Sequence, residues 1–261
     1  MKKGICLGSV PGESLEGRFK LAKDAEFDGI EIGPLSNAEE RREYKSLADT
    51  VGLEIHSVMN QVHWSLPITD PDPEVRKKSV QGMITSLDTA QAVGADAVLL
   101  VPAVVNEDVP YNVAYERSQA EIRPLIKEAE ERNVLITVEN VWNKFLLSPL
   151  EFARYVDEFE SDYVQAYFDV GNIVIFGYPE QWIRILGKRI KKVHVKGFNA
   201  DERRFTYLIE DCTINWNAVM EAFHEVGYDG YMTAELPVNW DDPEGTVYNI
   251  SKDMDKIIAG L

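Results

Sequence analysis

Four apolar runs in the second half of the chain each lead into a residue able to bind a cation. Leu135-Ile136-Thr137-Val138 ends in Glu139, Ala166-Tyr167-Phe168 in Asp169, Val193 leads to His194, and Tyr231-Met232-Thr233-Ala234 ends in Glu235. Three carboxylates gathered with one imidazole at low dielectric repel one another, and at least one must take up a proton unless a cation neutralises them. A divalent ion does this, and an oxygen-rich set with one imidazole suits Mn2+, Mg2+, Co2+ or Zn2+ without choosing among them. Taken singly, each residue has an ordinary reading as a strand-end polar group bonded to a nearby loop. His194, between Val193 and Val195 with its side chain on the opposite face, also reads as a satisfied core histidine. The recurrence at four runs is what points to a site.

Such a site needs elements that bring the run ends together. Short apolar runs alternate with segments of helical period, and the strands are expected at Gly4–Leu7, Gly29–Ile32, Leu53–Val58, Ala97–Val101, Leu135–Val138, Val164–Phe168, Val193–Val195 and Tyr231–Ala234. Between Pro73 and Val93 the apolar residues Val80, Met83, Ile84, Leu87, Ala90 and Val93 recur at three- and four-residue steps, as on a buried helix face. Helices are expected to stop at Gly52, Gly94, Asn133 and Gly227, each followed at once by apolar residues. Strict alternation with apolar strands implies a parallel sheet covered by helices, joined by right-handed crossovers. Eight units favour closure, and Gly8-Ser9-Val10-Pro11-Gly12 is not the G-x-G-x-x-G turn of an open dinucleotide-binding sheet. We therefore expect residues 1–261 to form a single (β/α)8 barrel with its reactive groups at the carboxyl ends of the strands.

Composition narrows the function. The chain has 261 residues, 45% of them hydrophobic, with 27 Lys and Arg against 44 Asp and Glu, a formal charge of −17. That charge repels nucleic acid and anionic lipid, there is no apolar run of membrane-spanning length, and two cysteines suggest no disulfide framework. With no secretion signal read at Met1-Lys2-Lys3, a cytoplasmic setting and a small-molecule partner are expected, with self-association left open.

The motifs Val138-Glu139-Asn140-Val141-Trp142-Asn143-Lys144, Phe168-Asp169-Val170-Gly171-Asn172, Val193-His194-Val195-Lys196 and Gly227-Tyr228-Asp229-Gly230-Tyr231, followed by Glu235, resemble the sugar phosphate isomerase/epimerase superfamily. These are the xylose isomerase-like barrels that include ketose 3-epimerases, and the resemblance covers nearly the whole chain. It implies that Glu139, Asp169, His194 and Glu235 hold one metal ion and that Glu139 and Glu235 also form the acid–base pair. Two departures stand out. Ketose 3-epimerases acting on free sugars usually place a His three residues after the metal-binding Asp, where this chain has Asn172. That form is closer to pentulose-phosphate 3-epimerases and hexulose-phosphate isomerases. Many relatives also read His-x-Lys-Asp, where this chain has Gly197.

The expected chemistry is metal-assisted proton abstraction from a ketose or ketose phosphate through a cis-enediolate, giving an epimer with two bases or an aldose–ketose isomer with one. His56, His63, Trp64, Trp142, Asn172, Lys196 and Arg203 are the expected substrate contacts, with Phe145, Tyr178 and Trp240 as further candidate walls. The segment from Lys196 to Asn215 is expected to form a lid that brings Lys196, Arg203 or Arg204 to a phosphate. A lyase or dehydratase of sugar-derived acids or inositols is the main alternative on the same barrel. A zinc endonuclease needs more than four histidines and a basic face, and a non-catalytic sugar-binding barrel requires that the four ligands fail to converge.

Overall fold

A computed structural model describes residues 1–261. Eight parallel strands close into a barrel: β1 (Lys2–Cys6), β2 (Gly29–Ile32), β3 (Glu54–Met59), β4 (Ala97–Leu100), β5 (Leu135–Glu139), β6 (Val164–Asp169), β7 (Ile190–Val195) and β10 (Tyr231–Ala234), which returns to pair with β1. The helices α1 (Leu15–Asp24), α2 (Ala38–Val51), α3 (Pro73–Val93), α4 (Tyr111–Arg132), α5 (Pro149–Asp157), α6 (Pro179–Leu186), α7 (Trp216–Val226) and α8 (Pro243–Ala259) cover it. This is the expected (β/α)8 barrel. It has one addition, an antiparallel hairpin of β8 (Gly197–Asn199) and β9 (Arg204–Thr206).

Local chemistry sets the helix limits. Side chains of Ser14, Asn37 and Asp72 accept backbone N–H groups at the starts of α1, α2 and α3. The stops at Gly52, Gly94, Asn133 and Gly227 all lie in the left-handed region, with φ of 74°, 83°, 52° and 71°. No helix is long and apolar enough to cross a membrane.

Strand alternation divides the interior in two. Ile136 and Val138 of β5, Ala166 and Phe168 of β6, and Val193 and Val195 of β7 belong to the large apolar core under the helices. Their neighbours Thr137, Tyr167, Asp169 and His194 are buried as well, on the opposite faces of the same strands, inside the barrel. A small apolar cluster of Leu99, Val101 and Tyr167 lies apart from the main core. The barrel interior is therefore largely polar, and its hydrogen-bonding groups must satisfy one another.

Candidate metal centre

Strands β5, β6 and β7 deliver Glu139, Asp169 and His194, and Glu235 follows the last residue of β10. The register pairs His194 with Asp169 on one side and Thr233 on the other, which sets these strand ends side by side. Ligand atoms of Glu139, Asp169, His194 and Glu235 all lie within 4.8 Å of one another. His194 Nδ1 is 2.8 Å from Glu139 Oε1 and 3.7 Å from Glu235 Oε2. Asp169 is completely buried; its Oδ1 accepts the backbone N–H of Asn172 at 2.8 Å, while Oδ2 has no aligned hydrogen-bond donor. Lys196 Nζ lies 3.0 Å from that oxygen and also pairs with Glu235. An unmatched carboxylate oxygen among three further ligand atoms fits a divalent cation in donor type and number.

One buried residue beside the cluster escaped the sequence reading. Glu31 of β2 is buried beside His194, with Oε1 2.8 Å from Nε2. It also accepts the Ser57 hydroxyl at 2.6 Å, the Tyr167 hydroxyl at 2.8 Å and the Cys6 thiol at 3.3 Å. A carboxylate there makes Nε2 the donor and leaves Nδ1 for the cluster of Glu139, Asp169 and Glu235. The signal in the sequence was a charged residue inside the apolar run Gly29-Ile30-Glu31-Ile32.

The electrostatics record the crowding. Burial, with the neighbouring charges of Glu235 and Asp169, pushes the Glu139 carboxyl up to about 7, against the stabilising contact with His194. Burial likewise raises Asp169, opposed by Lys196. Burial also works to raise Glu31, but the charge and hydrogen bond of His194, together with His56 and Ser57, hold it down at about 2. His194 itself is driven well above the usual imidazole range: burial opposes its charge, and Tyr167, Glu31 and Cys6 outweigh it. Without a metal, His194 and Lys196 supply the positive charge that the carboxylates require.

Above the cluster opens a cavity of about 900 Å³. Of these four residues, Glu139 and Glu235 line it, while Asp169 and His194 are fully buried and do not. Of the expected substrate contacts, His63, Trp64, Trp142, Asn172 and Lys196 also line the cavity. His63 is buried with Nδ1 unpartnered, and burial lowers its pKa to about 4, so it is neutral near pH 7. Asn172 braces the site as well, since its Nδ2 donates to the backbone carbonyl of Asn140 at 3.0 Å while its own backbone carbonyl accepts from Trp142 Nε1 at 2.8 Å.

Other expectations need correction. His56 does not reach the cavity; it stacks on Tyr231 at 4.0 Å and contacts Ser57 and Thr233 inside the barrel, because it lies one residue before the strand position that faces Glu31. Arg203 is exposed and does not line the cavity, and Arg204 pairs with Glu202 and Asp211 on the hairpin surface. Phe145 is buried in the main core, whereas Tyr178 and Trp240 are exposed away from the cavity. The segment expected to form a lid, Lys196 to Asn215, contains the β8–β9 hairpin, whose Phe205 enters the cavity wall and stacks on Trp142 at 4.7 Å.

Comparison with known sequences now places the molecule. The xylose isomerase-like TIM barrel family matches residues 19–254. The chain belongs to this family. A D-tagatose 3-epimerase-like protein is similar in structure, with a TM-score of 0.83, 21% identity, and 99% of this chain and 98% of that one covered. A D-psicose 3-epimerase from Clostridium cellulolyticum H10 has a TM-score of 0.81 at 19% identity, covering 98% and 97% of the two chains. Among curated sequences, an uncharacterized protein, MJ1311 of Methanocaldococcus jannaschii, is 24% identical over 182 residues, 65% of this chain and 62% of that protein's length.

This xylose isomerase-like barrel also explains its own departure at Gly197. A Cβ there would collide with the backbone carbonyl of Tyr207 and meet the Thr206 hydroxyl, so the hairpin turns back on Lys196 only because this position has no side chain. Gly197→Ala is expected to cost about 1–3 kcal/mol through overpacking and to pull Phe205 away from Trp142. Thermal unfolding and tryptophan fluorescence would measure both effects; an unchanged midpoint and spectrum would refute the tight packing.

Proposed function

We propose that this barrel is a divalent-metal-dependent isomerase acting as an epimerase on a ketose or ketose phosphate. The observation that carries the reading is the division of labour among four clustered ligands. Asp169 and His194 are wholly buried beneath the cavity, whereas Glu139 and Glu235 reach it from β5 and from the end of β10, separated around the barrel by β6 and β7. Glu139, Asp169, His194 and Glu235 would hold Mn2+, Mg2+, Co2+ or Zn2+, and such an ion supplies Lewis-acid polarisation of a carbonyl group.

The remaining work falls to the protein. Glu139 and Glu235 reach the cavity from strand ends separated by β6 and β7, so one carboxylate can take the proton beside the carbonyl while the other returns one to the opposite face of the enediolate. Neutral His63 lines the cavity, where its ring can hydrogen-bond a sugar hydroxyl. Trp142 and Phe205 stack into an apolar wall that can pack against sugar C–H groups and exclude water. A screen of ketoses and ketose phosphates in the presence of each metal, read by NMR, tests the assignment. Epimer formation supports it, while loss of water or carbon–carbon cleavage would replace it with a lyase.

Metal binding should be visible without turnover. Saturating metal at 100 times Kd raises stability by about 2.7 kcal/mol, and Asp169→Ala should abolish the shift of the melting curve. Glu31→Gln should retain the fold but weaken metal affinity by about 10–100-fold, as for other histidine-orienting groups. Equal calorimetric affinity in wild type and Glu31→Gln would remove Glu31 from this role.

For the chemistry, Glu139→Gln and Glu235→Gln should each reduce turnover by at least about 100-fold, because an amide can coordinate a metal but cannot accept the proton. Turnover in D2O should place deuterium at the inverted carbon. Quantitative retention of the original hydrogen at that carbon, or near wild-type rates in either variant, would rule out two-base epimerisation.

A further inference from the structure

The part of the cavity wall formed between β1 and α1 holds a cation that the proposed chemistry leaves unused. Arg18 of α1 lines the cavity beside Gly8, Ser9 and Tyr44. Its Nε donates to Val10 O at 2.8 Å, and its Nη2 donates to Leu7 O. No hydrogen bond engages Nη1, and no carboxylate lies within ion-pair distance of the guanidinium. The other cation in the cavity wall, Lys196, is already held between Asp169 and Glu235. Arg18 is thus an unneutralised guanidinium in a protein of net charge −17.

Its position is also built rather than incidental. Two backbone carbonyls grip the guanidinium, and Gly12, at φ 143°, lets the loop close over the stem: a Cβ there would lie 2.8 Å from Arg18 Cγ. Gly8, next to it in the wall, has nothing within 4 Å of where a side chain would begin, which leaves open space beside the guanidinium. Half-buried without an acid, the charge loses hydration and gains no ion pair in return; burial accordingly lowers its pKa from the usual guanidinium value. A cavity of about 900 Å³ lies near the upper end for small-molecule sites and has room for more than a free monosaccharide.

The geometry points to Arg18 as the anion-binding end of the substrate cavity, taking the terminal phosphate of a ketose phosphate whose carbonyl end lies over Glu139 and Glu235. This refines the sugar reading above and rests on it. It moves the phosphate contact from Arg203 and Arg204, which the hairpin keeps at the surface, to a residue of the first helix. The two free N–H groups of Nη1 provide a charge-assisted contact to phosphate oxygen, while the two gripped nitrogens fix its direction.

The test compares a 2-ketopentose, its 5-phosphate and the matching sugar acid with a terminal carboxylate, each titrated calorimetrically into Mn2+-supplemented protein. Wild type should bind the 5-phosphate at least about tenfold more tightly than the free sugar, the scale of one charge-assisted hydrogen bond. Arg18→Gln should erase that preference while leaving the affinities for the free sugar and for Mn2+ unchanged, and Arg18→Lys should restore part of it. Inorganic phosphate should compete with the 5-phosphate in wild type and not in Arg18→Gln. Equal binding of sugar and 5-phosphate by wild type, or an equal loss for both in Arg18→Gln, would overturn the subsite. A preference for the sugar acid would overturn phosphate as its ligand. Turnover separates this proposal from the reading beneath it. Epimerisation of free ketoses with no phosphate preference defeats the subsite alone, whereas Arg18-dependent phosphate binding without epimerisation of any ketose defeats the isomerase reading alone.

Discussion

The contact between Glu31 and His194 organises the floor of the barrel. His194 stands between Glu31 on Nε2 and Glu139 on Nδ1, both at 2.8 Å, with all three residues buried. If the imidazole turned over about its Cβ–Cγ bond, ring carbons would replace Nδ1 and Nε2 opposite the two carboxylates, and the cluster would lose its imidazole nitrogen. Glu31 prevents this because Ser57 and Tyr167 hold its other oxygen. The anchoring charge therefore comes from β2, and the hydroxyls fixing it come from β3 and β6, on either side of the barrel interior.

Burying so much charge is costly for folding, since an ion removed from water must recover its hydration energy from its neighbours. The molecule limits that cost by matching partners. His194 faces carboxylates on both nitrogens, and Lys196 lies across Asp169 and Glu235. The compensation stops short at Asp169 Oδ2, which lacks an aligned donor, and at Glu139, whose carboxyl is raised to about 7. Both defects lie where a divalent ion would be held, so the residual strain and the proposed function coincide.

The rim of the cavity follows different physics. The side chains of Asn140 and Asn172 tie the ends of β5 and β6 together through hydrogen bonds of 2.9–3.0 Å to backbone groups, which couples the loops leaving these strands. Trp142 is fastened to Asn172 and meets Phe205 of the hairpin. The hairpin, in turn, rests on the missing side chain of Gly197. A polar, rigid floor is thereby joined to an aromatic wall whose position depends on one glycine.

Much of this was legible from the sequence alone because it rests on local rules. Apolar runs and helix stops revealed the eight barrel strands and the left-handed caps at Gly52, Gly94, Asn133 and Gly227, since hydrophobic period and positive φ are properties of a few consecutive residues. The clustering of Glu139, Asp169, His194 and Glu235 followed once eight units implied a closed barrel, because closure gathers strand ends. Other features depended on which residues become neighbours across strands and loops. Glu31 read as an oddity in an apolar run until closure brought β2 across the interior from β6 and β7, and His56 read as a contact until the register placed it against Tyr231 and Thr233. Arg203 and Arg18 look alike as isolated cations, but folding surrounds one with solvent and seats the other in the cavity wall. Sequence by itself determined the barrel and the types of polar residue that its strand ends gather. Tertiary structure decided their orientation and charge balance, because hydrogen bonds and desolvation act between atoms whose separation in space bears no relation to their separation along the chain.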